Sequence, residues 1–255
     1  MNRASLTAQA PALPRPGRAR LLLEWMLLSS PPLLATLALQ PQLLRWWNDV
    51  IHWWSARLAL PLADGPIGIH GGLHTVRLWS AQADSTVIPS SQTLAWTWLA
   101  LIGLWGISHV LSDRFHPLKI TVRALCLIQA TACVFFMVSP ASFPYTVSQH
   151  RWALFDMGYG LMLASGPMLA LGWGMLVPSR LSKVIAPWGV LAYFSLMLPH
   201  KVLLHAWLLT HGSALFMPVL FWCFGMLFDL WVFIALYAWL VSRIPTTAPA
   251  FGDAP

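Results

Sequence analysis

Apolar residues in this 255-residue chain fall in long blocks, not in the short periodic segments of a water-soluble fold. Five blocks stand out: Leu94 to Leu111, Leu118 to Val138, Ala153 to Leu176, Val184 to Leu209 and Ala214 to Leu240. Each is close to or above the ~20 residues that a helix rising ~1.5 Å per residue needs to cross ~30 Å of hydrocarbon. A weaker run, 21–39, comes first and is interrupted by Glu24, Ser29, Ser30, Pro31 and Pro32. No small-x-small cleavage site follows it, so a retained span is expected. A cleaved signal peptide is the competing expectation; it would leave five helices and move the N-terminus to the opposite side. Backbone amides in lipid must be paired within the spanning segment, and unbroken apolar runs are not the alternating pattern of a barrel. The expected fold is an all-α polytopic membrane protein with about six transmembrane helices.

Residues 40–92 form the largest stretch between spans. Leu43, Trp47, Val50, Ile51, Trp54 and Leu58 recur at helical spacing, opposite Arg45, Asn48, Asp49, His52 and Ser55. This predicts an amphipathic helix lying in the outer headgroup plane, with packing against protein as its alternative. Further on, β-prone stretches flank Gly71-Gly72, which predicts a small hairpin resting on the membrane. The chain then divides into a disordered basic leader at 1–20, a first transmembrane helix at 21–39, an outer, periplasmic loop at 40–92, a five-helix membrane bundle at 93–242 and a cytoplasmic tail at 243–255.

Composition sharpens this picture. Apolar residues make up 58% of the chain and charged ones 9%, against about a quarter charged in a soluble domain. Sixteen tryptophans beside four tyrosines suit interfacial anchoring. The net charge of +7 does not imply nucleic acid, because the basic residues flank apolar spans and do not cluster on one soluble face. Arg3, Arg15, Arg18, Arg20, Arg114, Lys119, Arg123, Arg180, Lys183 and Arg243 fall on one side of a six-span topology, and the positive-inside rule makes that side cytoplasmic. Both termini are thus expected in the cytoplasm, in a cell inner (plasma) membrane.

One block is interrupted by polar groups. Residues 196–211 read LMLPHKVLLHAWLLTH, with Lys201 and His205 on one helix face and His200 and His211 on a neighbouring stripe. Pro199 leaves the carbonyl of Ser195 without its usual partner and predicts a kink. A lysine about 12 Å deep, at ~1.5 Å per residue, needs a partner, water or a route to the surface. Asp229 in the last span is the expected partner, ~8 Å deeper by residue count, with the gap closed by the lysine stem and a bridging water. Asp156, with His150 and Arg151, stands at the outer mouth of the fourth span. The candidate site is therefore Lys201, His205, Asp229 and Asp156 lining an outward-facing polar cavity. The bland alternative has Lys201 reaching outward, His200 and His211 near the headgroups, and Asp229 as a neutral acid bonded to a neighbouring helix.

No cofactor and no metal are expected. Three histidines share one helix, so only His150 is placed to pair for haem. The single HxxxH spacing, His70 and His74, straddles a glycine pair, and Cys126, Cys133 and Cys223 lie in apolar runs without zinc-like spacing. Ser90 and Ser91 lack a nucleophile elbow or an SxxK pair, and no nucleotide-binding fingerprint occurs. Gly166, Ala170 and Gly174, with Gly158 and Gly160 nearby, mark a close-packing helix. The lipid bilayer is the first expected partner, and a membrane protein contacting the 158–174 small-residue face or the outer loop is the second. Two functions follow as expectations. The first is a non-catalytic accessory subunit of an envelope assembly or export system. The second is an intramembrane enzyme or transporter acting on a lipid-linked or small polar substrate at Lys201, His205 and Asp229.

Overall fold

The computed structural model describes residues 18–60, 62–67, 76–81, 88–175 and 180–242. The leader to residue 17, the Gly71-Gly72 turn with His70 and His74, and the tail from residue 243 lie outside the described residues. In chain order the helices are α1 (Arg18–Ala38), α2 (Gln40–Arg57), α3 (Ser91–Val110), α4 (His116–Val138), α5 (Val147–Met175) and α6 (Arg180–His211). A last rod follows, built from α7 (Met217–Phe221), a π-helical turn (Trp222–Met226) and α8 (Leu227–Ser242). Between α2 and α3, β1 (Leu62–Ile67) and β2 (Val76–Ala81) pair antiparallel, Leu62 opposite Ala81 and Ile67 opposite Val76.

Among the described residues, four helices are long and apolar enough to cross a membrane, or five if the bent pair α1–α2 is one span. The sequence expectation of six is not reached on this measure. α6 has the length, 32 residues, but carries Lys183, Lys201, three histidines and two prolines, which lower its mean hydropathy.

The helix over 40–57 differs most from expectation. It bends by 59° from α1 at Leu39, where Pro41 in its first turn cannot supply the N–H that would continue a straight helix. Gln40, Leu44, Trp47, Ile51 and Ser55 then form a buried stripe at helical spacing. Leu44, Trp47 and Ile51 join Leu154 and Phe155 of α5 and Leu198 and Val202 of α6 in the main core. The centre of the apolar face of α2 is therefore covered by protein, the alternative that the sequence also offered. Depth markers agree: Trp25 Nε1 of α1 donates to the Pro167 carbonyl of α5 at 3.1 Å, Tyr159 Oη to the Thr36 carbonyl at 3.4 Å, and Trp54 of α2 meets His200 edge-on at 6.3 Å. Together α1 and α2 follow one bent path along α5 and then α6.

Two of the small residues of α5 pack against other helices of the chain. A Cβ on Gly158 would lie 2.5 Å from Leu198 of α6, and one on Gly166 would lie 3.0 Å from Pro32 of α1. Glycine allows both neighbours to approach α5 closely, as small residues do between helices in lipid. Glu24, a flaw in the first span when read from sequence, pairs with Lys183 of α6. The α3–α4 hairpin stands aside from this group, with α4 reaching the rest through Gln129 Nε2, which donates to the Leu215 carbonyl at 2.9 Å.

Candidate functional site: a buried polar row

The site begins at the proline of α6. Pro199 has no N–H to give the Ser195 carbonyl, and Trp47 Nε1 donates to that oxygen at 2.9 Å. The indole is fully buried and stacks on Phe155 of α5, ring centres 5.3 Å apart. A buried carbonyl left without a donor costs about 1–3 kcal/mol, so α2 holds the kink and fixes the turn that carries His200, Lys201 and His205.

Lys201 forms a direct ion pair with Asp229 of α8, and each side chain is 12% accessible. The depth gap counted from sequence needs no bridging water. The π turn inserts one extra residue just before α8, which leaves Asp229 ~1.5 Å less deep and rotates the following face by about 100°. Gly225 within that turn admits the side chain of Leu154, since a Cβ there would lie 2.7 Å from it.

One turn beyond Lys201, His205 is 2% exposed and meets His150 of α5, itself 4% exposed. His150 Nε2 lies 3.2 Å from His205 Nδ1, and the rings stack with centres 5.5 Å apart. The outer side of His150 lines a cleft of about 550 Å³ shared with Phe143, Tyr145, Met217, Phe221 and Trp222. Asp229, Lys201, His205 and His150 thus form a row that starts within the bundle and ends at a cleft beside the 139–146 and 212–216 connections.

The other sequence candidates are placed apart. Asp156 lines an open depression with Ser148 and Trp152 that shares Gln149 and Ala153 with the cleft, so it belongs to the mouth. His200 and His211 bond to carbonyls one turn back in their own helix, Leu196 at 2.7 Å and Trp207 at 3.0 Å, and do not join the row. Arg151, buried beside His150, donates to the Val147 carbonyl at 3.4 Å. The sequence reading singles out His150 as the histidine placed to pair with those of α6, but leaves it out of the candidate site and does not name His205 as its partner. The signal available was depth, since both lie close to the ends of α5 and α6 that meet at the cleft. Among the described residues, no group of three or more His, Cys, Asp or Glu side chains is placed to hold a metal ion. Compared with known proteins, the chain matches no family model, no curated protein and no solved structure, so its geometry alone carries the functional reading.

Proposed function

We propose that the chain is a multi-pass protein of a cell inner membrane that works as an intramembrane enzyme or transporter. Its working groups are Lys201, Asp229, His205 and His150, and its substrate is lipid-linked or small and polar. In this reading α6 also crosses the bilayer beside α5, and α1–α2 is one bent span, which gives six spans and places both termini in the cytoplasm. The β1–β2 ribbon then sits at the outer surface. The observation that carries the proposal is that the Lys201–Asp229 pair and the buried His150–His205 pair lie one turn apart on α6, with His150 lining the cleft. A lysine–aspartate pair held only for structure needs no histidine pair leading from it to an open cleft, and ionisable groups within a membrane mark functional sites by default. Histidine suits proton transfer near neutrality. The test is complementation of a deletion in the source organism. Lys201→Met and His205→Gln, at normal membrane abundance, are expected to lose the function; full function in both overturns the proposal.

The α3–α4 hairpin favours a second reading, a non-catalytic accessory subunit of an envelope assembly or export system. Trp96, Ile102 and Ile107 of α3 are each at least 60% exposed on a helix that packs chiefly on α4. Lipid covers such a face equally well. In the accessory reading a partner protein co-purifies in mild detergent and is lost on Ile102→Trp, while Lys201→Met at normal abundance keeps the function.

A further inference from the structure

At the 111–115 end of the α3–α4 hairpin, Arg123 is a cation whose contacts are all neutral. It lies seven residues into α4, about 10 Å from the helix start at ~1.5 Å per residue. Its Nε donates to Ser108 Oγ at 3.1 Å and its Nη2 to His109 Nδ1 at 3.2 Å, and its Cζ stands 5.7 Å from the centre of the Trp105 ring. A guanidinium can only donate, so His109 accepts at Nδ1. Among the described residues no carboxylate pairs with Arg123. The acid of the turn, Asp113, is almost fully exposed and pairs with Lys119 at 3.2 Å.

Ile120 and Leu127 stand three residues before and four residues after Arg123, on the same face of α4, and both are more than half exposed. The guanidinium therefore opens between apolar side chains and not onto a polar surface. Ser108 and His109 take the Nε–H and one Nη2–H. The other three N–H groups, two on Nη1 and one on Nη2, have no acceptor among the described residues. A cation at this depth is costly without a partner. A phosphate matches the free fork with parallel, charge-assisted hydrogen bonds.

We propose that the α3–α4 hairpin holds an anionic phospholipid in the leaflet that borders the 111–115 turn, its phosphate on Arg123 and its acyl chains over Leu127. The site is separate from the polar row and is compatible with either function above. Basic pockets between membrane helices at head-group level bind anionic lipids in this way. A free phosphate brings no apolar surface to cover Ile120 and Leu127, whereas a phospholipid does. Choline or ethanolamine brings an ammonium toward a turn where Arg114 and Lys119 outnumber Asp113, so an uncharged head group such as glycerol is favoured.

The full chain in dodecyl maltoside is titrated with dioleoyl phosphatidylglycerol and, separately, with dioleoyl phosphatidylcholine, and native mass spectrometry counts the bound lipid. The first phosphatidylglycerol is expected to bind at least about ten-fold tighter than phosphatidylcholine. Arg123→Gln lowers its affinity about ten-fold, the worth of a charge-assisted hydrogen bond. Lys119→Gln, at the edge of the site, lowers it about three-fold, and Arg45→Gln, exposed on α2, leaves it unchanged. Equal affinity for the two lipids overturns the proposal, as does phosphatidylglycerol affinity unchanged by Arg123→Gln, or by Lys119→Gln where Arg123→Gln does not fold. Displacement of the lipid by millimolar inorganic phosphate overturns it in favour of a free-phosphate site. A co-purifying protein that is lost with Arg123→Gln while the lipid affinity stays overturns it in favour of a partner's carboxylate.

Discussion

Removing one member of the Lys201–Asp229 pair tests the energetics of the row. Each side chain is 12% accessible, so neither charge has enough water around it to stand alone. Truncating one partner of a buried pair costs about 3–5 kcal/mol, whereas replacing both with apolar groups of similar volume is often neutral. Lys201→Met keeps the length of the stem and removes the charge. Asp229, left alone, takes up a proton, which limits the loss to the lower end, about 3 kcal/mol. Asp229→Leu strands the ammonium and costs about the same or more. The double variant is expected within about 1 kcal/mol of the parent, an interaction energy of at least about 5 kcal/mol. Neutral interhelical hydrogen bonds in membranes average only about 0.6 kcal/mol of coupling, so the two descriptions are well separated. The assay is reversible unfolding in mixed dodecyl maltoside and dodecyl sulfate micelles, followed by tryptophan emission. Losses that simply add, with coupling below about 1 kcal/mol, refute the ion pair as the stabilising contact.

Two further outcomes follow from the kink and the bend. Trp47→Phe orphans the Ser195 carbonyl and is expected to cost about 1–3 kcal/mol beyond the loss of indole area. In a Pro199→Ala background, where the helix supplies its own N–H, the same change costs about 1 kcal/mol less, as the unfolding assay above reads directly. If α1–α2 is one bent span, Leu39→Cys resists an impermeant maleimide, while Arg57→Cys and Ser142→Cys react from the same side of oriented vesicles. Reaction of Leu39→Cys as fast as Arg57→Cys contradicts the bent path.

The membrane class was legible because the bilayer replaces a soluble core, and apolar runs of span length report it without any tertiary information. The Lys201–Asp229 partnership was legible for a related reason: the short turn after His211 makes α6 and the final rod antiparallel neighbours. The surroundings of α2 were not. Its periodicity marks an apolar face through Trp47 and Ile51, but a hydrophobic stripe looks the same whether protein or lipid covers it. The clue lay elsewhere, in the carbonyl that Pro199 releases, which Trp47 satisfies from nearly 150 residues away. The His150–His205 contact depends on how α5 and α6 slide past each other, which Gly158 and Leu198 settle by their fit. The π turn left no local mark apart from Gly225, so the rise that brings Asp229 to Lys201 could not be counted from sequence.

The account depends most on the row being open to the exterior through the cleft. Water-edited solid-state NMR of chain labelled with ¹⁵N at histidine and glutamine, in liposomes, measures this directly. Polarisation from water is expected to reach the His150 ring at a rate near that of the exposed Gln149 side chain, to reach His205 next, and to slow at both rings in Ala153→Trp. Build-up at His150 as slow as at the buried Gln129 amide, unchanged by Ala153→Trp, contradicts an open site and leaves the row a sealed structural contact.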